Sequence, residues 1–97
     1  MNRQTEEFID ILKSFKTKND VYSFMKLIFS SKEMVDIPKR LKIIKMLNKG
    51  VNQRIIAQKT GAGIATVTRG SKELLKNEFK NINNTLVKWW TRSRWRD

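Results

Sequence analysis

The sequence predicts a small all-α domain built around a helix-turn-helix, and three observations support that class. Apolar residues recur at the i, i+3, i+4, i+7 spacing of one helix face in successive segments. Pro and Gly together number only five, and 39% of the residues are hydrophobic, a globular balance rather than a disordered one. The charge is one-sided: 21 Lys plus Arg stand against 9 Asp plus Glu, giving +12 over 97 residues. A chain of this length forms one domain with a modest core, so a second subunit would help to bury it. Without Cys or His, disulfides, thiolate or imidazole metal sites and the usual nucleophile and general base are excluded, and neither metal nor enzymatic activity is expected. No apolar run exceeds three residues, so no membrane span or signal-peptide core is expected and the chain reads as cytoplasmic. The acids Glu6, Glu7 and Asp10 fit a first helical turn, where they favour the helix dipole, better than a catalytic cluster.

The first helix is marked by Phe8, Ile11, Leu12 and Phe15, and the second by Val21, Phe24, Met25 and Ile28, ending near Phe29. Asn19 and Asp20 are its plausible N-caps. Ser30-Ser31-Lys32-Glu33 has the form of a capping box and predicts a new helix start. Pro38 lacks the backbone donor and disfavours helical geometry at Ile37, so it either kinks this helix or restarts it, with a break expected at 36–38. Leu41, Ile43, Ile44, Met46 and Leu47 then make an apolar face too wide for one neighbour, before Gly50 supplies a stop. A helix packed on two sides suggests dimerisation. The first five residues and the last few are the expected flexible pieces.

Residues 52–70 read NQRIIAQKTGAGIATVTRG and fit a helix-turn-helix extending over 52–76. Asn52 caps the first helix. Ala57 is small enough for two helices to cross closely, Gly61 permits a left-handed turn, and Val67 packs back on the first helix, with Ile56 and Ala62 between them. Gly63, Ile64, Ala65 and Thr66 open the second helix with side chains small enough to approach base edges. Around this motif, residues 37–72 hold nine basic residues (Lys39, Arg40, Lys42, Lys45, Lys49, Arg54, Lys59, Arg69, Lys72) and no acid. A single such lysine is usually a solvated surface residue. Nine without one carboxylate point to a polyanionic partner, with double-stranded DNA first among the candidates.

The segment GAGIATVTRGS at 61–71, together with LIFSSKE at 27–33 and KRLKIIKMLNKG at 39–50, resembles the tryptophan repressor family over residues 20–75. The resemblance implies a single DNA-binding domain over 1–97 that forms an intertwined homodimer. It also implies L-tryptophan as corepressor and a pseudo-palindromic operator controlling tryptophan metabolism genes. Carried over position by position, it places Arg40 and Arg69 on either side of the indole and on the carboxylate, work that suits a planar guanidinium. It puts the carbonyls of Leu27 and Phe29 on the ammonium and Ser30 near the carboxylate, and it leaves room for the ring at Gly70. Glu73 replaces a family serine near the ammonium, where it could pair with that ammonium or with Arg69 one turn earlier. For DNA, the resemblance implies contacts from Gln53, Arg54, Gly63, Ile64, Ala65, Thr66 and Thr68. Ala57 stands where the family has a lysine, and Lys59 or Lys72 is the expected replacement for its contact. Pro38, a one-residue shortening after Gly50 and everything beyond Leu75 also depart from the family pattern.

Two other readings remain open from sequence: a regulator of the same fold that does not use tryptophan, and a basic RNA-binding or transposase-associated module. At the C-terminus, LVKWWTRSRWRD (86–97) reads either as a short final helix that packs a dimer through Leu86, Val87 and Trp90, or as extra phosphate contacts from Arg92, Arg94 and Arg96.

Overall fold

The computed structural model describes residues Met1–Arg92; Arg94 and Arg96 of the expected phosphate contacts lie outside the described residues. Six helices and no strand make up the described chain, which bears out the all-α expectation. The chain divides into two compact units, Met1–Ile37 and one beginning at Pro38.

In the first unit, helix α1 (Arg3–Ser14) starts where the Asn2 side chain accepts the Thr5 N–H at 2.8 Å. Helix α2 (Lys18–Ile28) is capped by Thr17, whose hydroxyl oxygen accepts the Asp20 N–H at 3.1 Å. Asn19 and Asp20, the expected caps, lie inside the first turn instead, because a cap must precede the donor it satisfies by two or three residues. Phe24 packs on both Phe8 and Phe15, with ring centroids 5.7 and 5.2 Å apart. Even so, no residue of α1 or α2 is buried. The unit has clear apolar stripes and no interior of its own to receive them.

Helix α3 (Ser31–Asn48) opens with the predicted capping box: the Ser30 N–H donates to Glu33 at 2.9 Å and the Glu33 N–H to the Ser30 hydroxyl at 3.1 Å. The break expected at 36–38 does not form. Pro38 sits inside one continuous helix, on an exposed stretch where water can satisfy the carbonyl left without its usual donor. The helix ends at Asn48, and Gly50 just past it takes the left-handed conformation at φ +76. Gly50 N–H donates to Leu47 at 3.0 Å and Val51 N–H to Met46 at 3.1 Å, the paired bonds of a Schellman stop.

In the second unit, α4 (Gln53–Thr60), α5 (Ile64–Leu74) and α6 (Asn77–Arg92) follow. Ile56 and Val67 are fully buried, and Ile43 and Met46 nearly so; Leu47, Val51, Ala57 and Ala62 pack around them. Thus Ile43 and Met46 of the wide face enter the core, while Leu41 at its edge stays 45% exposed. Helix α6 is longer than the short final helix read from 86–97. It is tied to the end of α3 by a reciprocal amide pair, Asn48 Nδ2 to Asn83 Oδ1 at 2.8 Å and Asn83 Nδ2 to Asn48 Oδ1 at 2.9 Å. Buried Lys45 also points its Nζ over the Trp90 ring, 6.0 Å from the centroid. Val87 and Trp89 remain exposed on α6.

Candidate nucleic-acid interface and ligand cavity

Helices α4 and α5 are joined by a tight turn that the sequence builds residue by residue. Asn52 Oδ1 accepts the Arg54 N–H at 2.8 Å and starts α4. The Thr60 hydroxyl donates to the Ile56 carbonyl at 2.7 Å and accepts the Ala62 N–H at 3.3 Å. Gly61 takes the left-handed conformation at φ 72 and donates to Ala57 at 2.9 Å; a side chain there would adopt a strained backbone. Gly63 then begins α5 without a side-chain cap. With Ile56 and Val67 locked together beneath the turn, the two helices are held as one piece.

Most of the residues proposed for DNA share the surface of this piece. Arg54, Lys59, Gly63, Ile64, Ala65, Thr66 and Lys72 are all exposed, and Ile64, at 48% exposure, presents an apolar side chain at the opening of α5. Gln53 and Thr68 differ. Both are half-buried, and the Thr68 hydroxyl donates to Gln53 Oε1 at 2.8 Å, so they brace α5 against α4 and only the Gln53 amide donors remain for an outside partner. Among the described residues, Arg54, Lys59 and Lys72 have no ion-pair partner. The charge is also divided between the units: residues 1–37 hold six acids and six bases, so the formal +12 belongs wholly to the second unit.

Behind α5 the second unit contains a cavity of about 420 Å³, within the range of small-molecule sites. Arg40, Ile43 and Ile44 line it from α3, Thr66, Arg69, Gly70, Glu73 and Leu74 from α5, and Phe79, Ile82, Asn83 and Leu86 from α6. The structure therefore brings Arg40, Arg69, Gly70 and Glu73 to one site. Neither guanidinium has an ion-pair partner among the described residues. A Cβ added at Gly70 would meet only Leu47 and Ile43 side chains, at 3.6 and 3.7 Å, which is ordinary contact. Glu73 does not turn back to Arg69. Its Oε1 accepts from Lys76 Nζ at 2.9 Å, and that bond, together with the charge of Glu73, raises the Lys76 pKa above its usual 10.5.

Leu27, Phe29 and Ser30 belong to the first unit, and the cavity is described within the second. Leu27 is 80% exposed on α2, Phe29 is the C-cap of that helix, and the Ser30 hydroxyl is engaged in the capping box. Sequence reasoning missed the α6 wall. Its signal was present in Phe79, Ile82, Asn83 and Leu86, which repeat at i, i+3, i+4, i+7. Glu73 and Lys76, three apart on neighbouring turns, were likewise a readable pair. Among the described residues no group of three or more His, Cys, Asp or Glu side chains is placed to hold a metal ion, and no helix is long and apolar enough to cross a membrane.

Comparison with known proteins places this architecture. Residues 3–89 match the family model described as Trp repressor protein. A Trp operon repressor homolog of Xylella fastidiosa (strain M23) is 32% identical over 78 residues, covering 79% of this chain and 85% of its own. One of Chlamydia caviae is 32% identical over 84 residues, covering 79% and 83%, and one of Vibrio parahaemolyticus is 32% identical over 73 residues, covering 74% and 71%. No solved structure matches the chain significantly. A helix-turn-helix on a basic unit, with a cavity against its second helix, thus coincides with a family match over nearly the whole length, and the chain belongs to the Trp repressor protein family.

Proposed function

We propose that this chain is an L-tryptophan-responsive, non-catalytic transcriptional repressor that acts as a cytoplasmic homodimer on a pseudo-palindromic operator controlling tryptophan metabolism genes. The observation that supports this reading most strongly is that α5 carries residues of both candidate sites. Its exposed opening, Gly63 to Thr66, is offered to DNA, while Thr66, Arg69, Gly70 and Glu73 line the cavity. Anything that fills the cavity sets the position of α5 against α3 and α6.

The residues present fit tryptophan. Apolar side chains on α3 and α6 suit a flat ring, Arg40 and Arg69 are available to stack on it and hold its carboxylate, and Gly70 adds no bulk. Bound tryptophan would supply a rigid spacer between the two arginine-bearing helices. Arg54, Lys59 and Lys72 then meet phosphates, while Ile64, Ala65 and Thr66 approach base edges, with Ile64 apolar enough for a thymine methyl. The dimer is supported by the first unit, which has no net charge and buries none of its α1 or α2 side chains. Two such chains would present recognition helices about 34–36 Å apart, the spacing general to helix-turn-helix dimers, the Trp repressor among them.

Titration calorimetry with L-tryptophan tests the ligand. Saturable binding to the unsubstituted chain, lost in Arg40→Ala and in Arg69→Ala, is the expected result. Glu73 at the place of a family serine favours a second reading, in which the chain regulates transcription without tryptophan; no heat of binding alongside intact DNA binding would establish it. If single-stranded RNA displaced duplex DNA at equal concentration, the RNA-binding alternative would replace both.

A further inference from the structure

The Glu73–Lys76 pair bears on which ligands the cavity accepts, an inference that rests on the tryptophan reading and refines it. Among the described residues lining the cavity, Glu73 is the sole acid, and Arg40 and Arg69 are its cations. The Glu73 carboxylate already holds an ammonium group, that of Lys76 at 2.9 Å. This is the same chemical group that an α-amino acid would bring. Lys76 itself does not line the cavity, so it engages Glu73 from outside while the two guanidiniums remain unpaired.

We propose that Lys76 is an internal competitor for the ligand's ammonium, occupying Glu73 in the ligand-free chain and yielding it when an α-amino acid binds. The exchange is easy because the pair is exposed: the Lys76 side chain is 53% and the Glu73 side chain 42% accessible, and exposed pairs hold weakly. Lys76 is not stranded on release, since Glu78 also acts on it electrostatically. With Lys76 on Glu73, the unpaired charge of the cavity is cationic and accepts an aromatic carboxylate whether or not it carries an ammonium. With Glu73 freed, the cavity demands the ammonium. Lys76 therefore sets how strictly the protein distinguishes an amino acid from its deaminated counterpart.

Calorimetry on the full chain with two probes, L-tryptophan and indole-3-propionate, tests this. In Lys76→Met, tryptophan should bind about two- to fivefold tighter, the most such an exposed pair withholds, while indole-3-propionate binds unchanged or more weakly. Glu73→Gln should weaken tryptophan about tenfold or more, because a charge-assisted contact is lost, and should spare indole-3-propionate. Lys76→Met should have no effect on top of Glu73→Gln. An unchanged ratio of the two affinities in Lys76→Met overturns the inference, as does an equal change for both probes, the mark of a structural effect. If neither probe binds the unsubstituted chain, the tryptophan reading falls and this inference falls with it; if both bind and only the ratios disagree, the tryptophan reading stands.

Discussion

Replacing Ile56 with Ala is the sharpest probe of how the helix-turn-helix is held. Ile56 is 0% exposed and belongs to a core of four buried apolar side chains, with Val67, Ile43 and Met46. The change removes about three methylene equivalents at roughly 0.8 kcal/mol each. The site is walled by α4, α5 and α3, so it cannot collapse fully, and the residual cavity brings the total to about 3–4 kcal/mol. Against the roughly 5–15 kcal/mol stability of a small domain, that is a large fraction. The melting temperature should fall by about 12–30 °C at the roughly 4–8 °C per kcal/mol typical of this size. Circular dichroism melts at one fixed protein concentration, with urea titrations beside them, measure it; the fixed concentration matters because assembly raises apparent stability. Ile56→Val should cost only about 0.5–1.5 kcal/mol. A loss below about 1 kcal/mol for Ile56→Ala, or equal losses for Val and Ala, would refute the packing argument.

Three further outcomes are expected. In a double-mutant cycle, Gln53→Ala and Thr68→Val should couple by about 0.5–1.5 kcal/mol in urea unfolding, reflecting their 2.8 Å bond; additive losses would mean that the bond braces nothing. Gly61→Ala should cost about 1–2 kcal/mol in the same assay, because φ is +72 and nothing lies within 4 Å to add a clash; a stability equal to that of the unsubstituted chain would contradict it. Lys59→Ala and Lys72→Ala should each lower the slope of log affinity against log salt by about 0.9 in DNA binding if each meets one phosphate, and an unchanged slope would remove that residue from the interface.

The parts of the fold legible in the sequence are those governed by local rules. The Ser30–Glu33 box, the Asn52 cap and the two left-handed glycines are where spacing and residue type put them, because caps and turns depend on neighbours two to five residues away. Two local expectations failed where rules competed. Asn19 and Asp20 are good caps by type, but Thr17 stands at the right offset from the first free N–H. Pro38 breaks a helix only when neighbouring bonds cannot tolerate one missing donor, and here an exposed stretch tolerates it. The candidate cavity was legible in part. Arg40, Arg69, Gly70 and Glu73, which the resemblance singled out, line one cavity, but the α6 wall lies past residue 75, where the motifs read from the sequence end, and the Gln53–Thr68 and Asn48–Asn83 bonds link positions 15 and 35 apart. Side-chain bonds across such separations depend on how helices cross, which no short-range pattern encodes.

The central claim is that ligand in the cavity and DNA on α5 are coupled through that one helix. The most direct test is a mobility shift on the DNA upstream of the protein's own coding region, at fixed salt, with and without L-tryptophan. Coupling of this kind typically amounts to about 5–150-fold in affinity and must be reciprocal. Tryptophan should therefore lower the protein concentration needed for half-maximal shift by at least about fivefold, and the same DNA should tighten tryptophan binding by the same factor. Equal DNA affinity with and without saturating tryptophan would contradict the account.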